Sequence, residues 1–376
     1  MKVAKSIFVL ILLNFLNFKH VKLDSCITQE NTIGNCVQLN DCQILQNLLP
    51  KARKNAQIRE YLLKSQCTVS SRPPFVCCPA NNIKLKFDEP DLEIKLPKAS
   101  EGICGRSYPG VISTPSRIVG GEEASLGEFP FVALLVYLKP GNRLDFNCGG
   151  TIITSRHVLS AAHCTSPTSI PSSWRLTKVR VGEFNTETIV DCEEINSVYT
   201  CGFPPQDIDI ESVIVHNQYS SYQPGNPHDI AIVKLKETIE FNEFVKPICL
   251  PLNNEVSSYY GSSTVIGFGQ TENSRISTIL KKAEIDIIEN RICALKYQAH
   301  SRTIHSNQIC AARVDNDACS GDSGGGLLKQ ADNSMVWYLI GVVSYGPKLC
   351  AKDYPGVYVN VKDYITWIRN KIEERN

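Results

Sequence analysis

From Ile118 onward the apolar positions fall in short β-type runs separated by turn residues: "FPFVALLVYL", "GGTIITSRHVLSAAHC", "KVRVGEF", "IESVIVH", "DIAIVKL", "STVIGFG", "VWYLIGVVSYG" and "GVYVNV". Runs of this length and spacing predict an antiparallel all-β barrel architecture, so the chain reads as mainly β. The last run gives way to "KDYITWIRNKIEER", whose aromatic and aliphatic positions are three and four apart and predict a C-terminal helix. Nearer the start, "DCQILQNLL" and "IREYLLKSQC" have helical spacing, whereas residues 79–117 mix charge with proline and hold no period. The first residues join two lysines in "MKVAK" to the apolar stretch "SIFVLILLNFLNF", interrupted by Asn14 and Asn17. That stretch is short of the roughly 20 apolar residues a membrane anchor needs and suits a signal peptide. The pattern divides the chain into a signal peptide over 1–22 with a loosely placed end, a small module over 26–78, a flexible linker over 79–117, a β domain over 118–371 and a tail over 372–376.

Composition sharpens this picture at two points. A formal net charge of +1 over 376 residues, with no long basic run, excludes a general nucleic-acid binder. Sixteen cysteines without a C-x-x-C pair point to disulfides and an oxidising compartment, hence to a secreted, extracellular protein with no membrane partner. Six of them, Cys26, Cys36, Cys42, Cys67, Cys77 and Cys78, lie in a segment too short to bury much core, where cross-links are the expected substitute.

Candidate chemistry begins at "GDSGG", residues 321–325. Serine is a poor nucleophile unless a base takes its proton, and a reacting carbonyl needs donors for its developing charge. The backbone N–H groups of Gly321 and Ser323 can meet at one point because glycine permits the tight turn. A glycine-rich turn alone gives the same string, so a base and an acid are required. His163 in "LSAAHCTS" ends a β-type run, and Asp229 opens the apolar strand "DIAIVKL". Alone, the first reads as a structural histidine and the second as a turn residue.

Taken together, "SAAHC", "DIAIVKL" and "GDSGG" in this order resemble the three signatures of the chymotrypsin-like serine proteases, over roughly residues 118–371. The resemblance implies a double six-stranded β-barrel with the triad in the cleft between the barrels. It assigns His163 as general base and then acid, Asp229 as the group holding its tautomer, and Ser323 as nucleophile, with the N–H groups of Gly321 and Ser323 as oxyanion hole. Ser344 matches the family's serine that hydrogen-bonds the triad acid. "RIVGG" at 117–121 matches the family's activation site: cleavage between Arg117 and Ile118 frees an α-amine that folds onto Asp322, so the chain is a zymogen. Asp317 stands where trypsin-like relatives place the acid at the base of the specificity pocket, and Gly346 and Gly356 match its small wall positions. The implied substrate is a protein cleaved after Arg or Lys.

The same resemblance pairs Cys148–Cys164, Cys293–Cys310, Cys319–Cys350 and Cys104–Cys249, which leaves Cys192–Cys201. The first six cysteines, ending in "CC", resemble a clip domain, with Cys26–Cys77, Cys36–Cys67 and Cys42–Cys78 as its pairs. The whole is similar to the clip-domain serine proteases of arthropod haemolymph cascades. That group implies an upstream trypsin-like activating protease, a downstream zymogen or precursor as substrate (melanisation, or release of a Toll-receptor ligand, in innate immunity) and a serpin-type inhibitor. A digestive or venom protease and a non-catalytic clip-domain cofactor are the rival readings. Catalysis requires no cofactor. The acidic stretch "GEFNTETIVDCEE" falls where trypsin-like relatives often hold calcium, with Glu183, Asn185, Thr188 and Asp191 as ligands; a solvated acidic loop accounts for it equally well. Three family residues are replaced: Phe268 and Tyr345 stand where tryptophan is usual, and Gly326 where proline follows "GDSGG". If Asp317 sets the specificity, Asp317→Ser abolishes cleavage after Arg, and an unchanged Arg preference in peptide assays refutes the assignment.

Overall fold

The computed structural model describes residues 25–29, 32–52, 56–67, 75–79, 95–111, 122–253, 255–256, 259–269, 276–299, 301–312, 322–331, 334–346 and 354–373. The signal-peptide expectation, Arg117, Ile118, Asp317, Cys319, Gly321 and Cys350 lie outside them. The chain divides into two compact units, residues 1–92 and 93–376.

The first unit has an antiparallel sheet of β1 (Ser25–Ile27), β2 (Ile33–Gln38) and β3 (Phe75–Pro79), with β2 in the middle. Short helices at Gln43–Gln46, Leu49–Ala52 and Ala56–Lys64 complete it. Its buried core is little more than Cys42, Leu45, Tyr61 and Val76. Three disulfides, Cys26–Cys77, Cys36–Cys67 and Cys42–Cys78, supply the constraint that so small a core cannot.

The second unit opens with β4 (Glu122–Glu123) and continues through β5 (Val132–Lys139), β6 (Arg143–Thr154), β7 (His157–Ser160) and β8 (Arg175–Val181). A hairpin follows, β9 (Cys192–Ile195) and β10 (Val198–Cys201), and then β11 (Gln206–Val215) and β12 (Ala231–Leu235). Strands β5–β8, β11 and β12 close a six-stranded antiparallel barrel in the order β11-β12-β7-β6-β5-β8. The remaining strands are β13 (Gly261–Gly267), β14 (Lys281–Ile288), β15 (Gln308–Ala312), β16 (Gly326–Gln330), β17 (Trp337–Tyr345) and β18 (Gly356–Asn360). They run β13-β16-β17-β18-β15-β14, and β14 pairs back onto β13, giving a second six-stranded barrel with β4 on its flank. A helix at Ile365–Glu373 buries Ile368 and Ile372 against the core. Among the described residues, no helix is long and apolar enough to cross a membrane.

Two features explain how the barrels meet. β5, β12 and β17 are apolar almost throughout and almost wholly buried, as strands filled on both faces must be. Where the barrels touch, the backbones approach across glycine: a Cβ on Gly149 would stand 3.2 Å from Gly325 Cα, and one on Gly324 only 2.3 Å from Ser160 Oγ. Gly324 also has φ of 77°, a conformation that costs a side chain dear.

The segment expected to be a flexible linker is ordered over 95–111 and strapped to the second unit. Leu96 joins the large core, and Cys104 is fully buried and disulfide-bonded to Cys249. Gly105 N–H donates to the Pro247 carbonyl, Trp337 N–H donates to the Gly105 carbonyl (both 2.9 Å), and Tyr108 stacks on Phe244 with ring centroids 4.7 Å apart. These anchors are tertiary contacts made one residue at a time, so they leave no periodic trace in the sequence.

Candidate active site

His163 sits on a 3-10 turn, Ala162–Cys164, directly after β7, and the Cys148–Cys164 disulfide ties that turn to β6. Asp229 lies two residues before the start of β12, which pairs with β7 through Ala231↔Ser160. Strand pairing therefore brings the two together from 66 positions apart. The Asp229 carboxylate is fully buried. It accepts three hydrogen bonds: His163 backbone N–H to Oδ1 at 2.8 Å, His163 Nδ1–H to Oδ2 at 2.8 Å, and Ser344 Oγ–H to Oδ2 at 2.5 Å. Ser344 belongs to β17, so the third donor comes from the second barrel. Burial alone pulls the His163 imidazole down, but the Asp229 charge and its hydrogen bond outweigh it and hold the ring above its ordinary value of 6.5.

Ser323 is placed from the second barrel. Its carbonyl accepts Gly149 N–H at 2.8 Å, next to the disulfide-bonded Cys148, while Gly324 seats against Ser160 and Ala161, two and one residues before the His163 turn. Among the described residues no hydrogen bond joins Ser323 Oγ to His163; the His163 Nε2 lies 3.6 Å from Cys164 Sγ. Asp322 turns the other way. Its Oδ1 accepts Gly269 N–H at 2.8 Å, and its carboxylate occupies the space that a Cβ on Gly267 or Gly269 would need. An apolar cleft lined by Val132, Leu134, Ile266 and Phe268 adjoins it.

Gly346 follows β17 and Gly356 opens β18, and the Tyr345↔Val357 pairing sets the two glycines side by side at one end of adjacent strands. In the acidic loop, Glu183 and Asp191 are both buried. Glu183 pairs with Arg180 at 3.1 Å, and Asp191 accepts from Asn185 N–H and from the Thr188 hydroxyl. Burial pushes the Glu183 carboxyl up, Arg180 opposes this, and Asp191 adds to it. The Cys192–Cys201 disulfide closes the β9–β10 hairpin, and Cys293–Cys310 pins the Asn290–Gln298 helix to β15.

A paired double barrel with a buried aspartate hydrogen-bonded to a histidine where its halves meet, and the serine turn of the second barrel packed beside that histidine's turn, defines the chymotrypsin-like class of protease fold. Comparison with known proteins agrees. The trypsin family model matches residues 118–368, and the model for the regulatory CLIP domain of proteinases matches residues 26–78. CLIP domain-containing serine protease B9 of Anopheles gambiae is 35% identical over 389 residues, covering 94% of each chain. Melanization protease 1 of Drosophila melanogaster is 34% identical over 380 residues, covering 92% of each. The crystal structure of the Drosophila Grass clip serine protease of the Toll pathway superposes with a TM-score of 0.61 at 30% identity, covering 93% of this chain and 97% of that one. The chain belongs to the trypsin family of serine proteases and carries an N-terminal CLIP domain.

Sequence reading passed over His228, the residue that precedes Asp229, and His216 and Tyr364, which pack against it. The position of His228 beside the acid was the available signal. A base must be neutral to accept a proton, so activity should fall as the pH drops through the raised His163 value, with the midpoint above 6.5. Asp229→Asn removes the charge that holds the imidazole up. It should move this acid limb of kcat/KM to lower pH and cut kcat on the order of 10⁴-fold; an unmoved limb contradicts the pairing.

Proposed function

We propose that the chain is a secreted endopeptidase zymogen, activated by cleavage between Arg117 and Ile118, which cuts a downstream zymogen or precursor after Arg or Lys in an extracellular cascade. The observation that carries this reading is the fully buried Asp229 carboxylate, aimed at His163 by donors from both barrels. In the reaction, Ser323 Oγ attacks the scissile carbonyl and its proton passes to His163 Nε2. The oxyanion is held by the N–H groups of Gly321 and Ser323, and the imidazolium then protonates the leaving amine. Water repeats the sequence to release the acyl group. By the family resemblance, Asp317 would select the basic side chain, with Gly346 and Gly356 as the small wall positions. The names of the relatives, one a melanization protease and one a protease of the Toll pathway, support an immune cascade. Such a cascade requires a trypsin-like activator and a serpin-type inhibitor.

Activation turns on Asp322. Its carboxylate lies beside a small apolar cleft, and a freed α-amine would pair with it there. Breaking a buried ion pair costs about 3–5 kcal/mol, enough to hold the oxyanion loop in one arrangement once the pair has formed. Arg117→Gln should therefore be secreted normally yet remain inactive with any trypsin-like activator; full activity from the uncut variant refutes the switch.

The loop after β8 is proposed to hold calcium. The Arg180 guanidinium bonds Glu183 but is shared with Asp207, while the buried Asp191 carboxylate acts on Glu183 with no cation bonded to it among the described residues, and this surplus of negative charge fits a hard cation. Glu183 and Asp191 would supply carboxylate oxygens, and Asn185 and Thr188 carbonyls. Calorimetry of the activated protein should show one saturable calcium site that Asp191→Asn removes. Absence of any binding heat leaves a solvated acidic loop.

A further inference from the structure

His228, the residue before Asp229, has φ of 59°, in the left-handed region that histidine tolerates and branched residues do not. Its carbonyl accepts Ile230 N–H at 2.8 Å, so the chain turns sharply across the acid. The ring is gripped. It lies parallel to His216, with centroids 4.8 Å apart and planes 6° from parallel, and Tyr364 stands edge-on to both at 5.2 and 5.9 Å. Trp367 covers His216 at 5.1 Å.

The hydrogen bonds around His228 suit an uncharged ring. The Asn307 side-chain amide donates to the Tyr364 oxygen at 2.5 Å and to His228 Nδ1 at 3.3 Å. The Tyr364 hydroxyl, 2.9 Å from the same Nδ1, then has its own proton to donate there. With these two groups as donors, we assign His228 Nδ1 as the acceptor, the arrangement of an uncharged ring. His216 Nδ1 likewise accepts Gln218 N–H at 3.3 Å. The titratable groups around the turn are His216 from the end of β11, His305 from the segment before β15, Tyr364 from the 3-10 turn Val361–Tyr364, and Asp229 itself. Burial lowers both rings, and each is lowered further by a neighbouring imidazole, His228 acting on His216 and His305 on His228. A proton on His228 would remove the acceptor for Tyr364 and set a cation face to face with His216.

We propose that His228 is a positioning residue for Asp229: uncharged, stacked on His216 and bonded to Tyr364, it fixes the left-handed turn that presents the acid to His163, and on gaining a proton it loosens that turn. This rests on the reading of Asp229 as the acid that orients His163. It gives the protease an acid-sensitive support separate from the protonation of His163 itself, and the support spans both barrels and the approach to the C-terminal helix.

The test is the acid limb of kcat/KM on an arginyl peptide substrate, measured with the activated full chain from pH 8 to 5. The wild type should fall with a slope in log kcat/KM steeper than one at the acid end and recover on return to pH 8, because a second proton is taken up. H228N keeps a residue that enters the left-handed region but cannot titrate. It should show a slope of one, with kcat at pH 8 within about fivefold of wild type for the weakened hydrogen bond. H228V should lower kcat by about tenfold or more with KM held, since a β-branched residue resists that turn. A wild-type slope of one, a steep limb retained in H228N, or wild-type kcat in H228V overturns the proposal; should H228V fail to fold, the comparison of wild type with H228N decides alone. D229N tests the reading beneath: full activity there removes the acid's role, whatever His228 does.

Discussion

The catalytic unit depends on one buried charge. A carboxylate at zero exposure would take up a proton unless donors replaced its lost water, and Asp229 has three. Two come from His163 in the first barrel and one from Ser344 in the second. The donor set of this buried carboxylate is therefore complete only while the barrels are docked, and a docked pair brings the His163 ring and the Ser323 turn to the same edge of the interface. Folding and electrostatics are here a single constraint: the contact that completes the solvation of Asp229 is also the contact that assembles the site.

The docking in turn depends on residues without side chains. Gly149 lies on β6 and Gly324 in the turn after Ser323, where added Cβ atoms would meet atoms of the other barrel at 3.2 Å and 2.3 Å. Glycine in a strand loses conformational entropy and packs nothing, so its presence at the interface marks close backbone approach. The same logic applies at Gly267 and Gly269, where the Asp322 carboxylate occupies the space a side chain would fill. The phenylalanine between them, at a position where tryptophan is usual in relatives, is buried in the core and leaves that space intact.

Much of this was legible before any coordinates. Strands β5, β12 and β17 declare themselves by apolar runs bounded by turns, and the closing helix by its period, because burial of one whole element writes a pattern into consecutive residues. The strap over 95–111 did not, since Leu96, Cys104 and Tyr108 are each buried by a different distant partner. The β9–β10 hairpin was read as part of an acidic loop. Its turn residues, Asn196 and Ser197, both take positive φ without the Asn-Gly or Asp-Gly pair that usually announces such a turn. Three motifs located His163, Asp229 and Ser323. The hydrogen bonds that orient the first two come from strand register, which no motif states.

The histidine cluster shows why such supports escape a reading of sequence. His216, His228 and Tyr364 lie just after a strand, in a loop and in a 3-10 turn, and each taken alone is an ordinary buried or half-buried polar aromatic. Their meaning lies in the φ of His228, which only the folded chain sets. A residue in the left-handed region stores strain of about 1–3 kcal/mol, and that strain persists only where surrounding contacts determine the conformation more strongly than the backbone resists it. Stacking on His216 and hydrogen bonds from Tyr364 and Asn307 are contacts of that kind, and they act one residue from the acid whose direction decides which tautomer His163 adopts. The orientation of the base is thus controlled from two sides: by Ser344 on the carboxylate itself, and by an uncharged imidazole on the backbone that carries it.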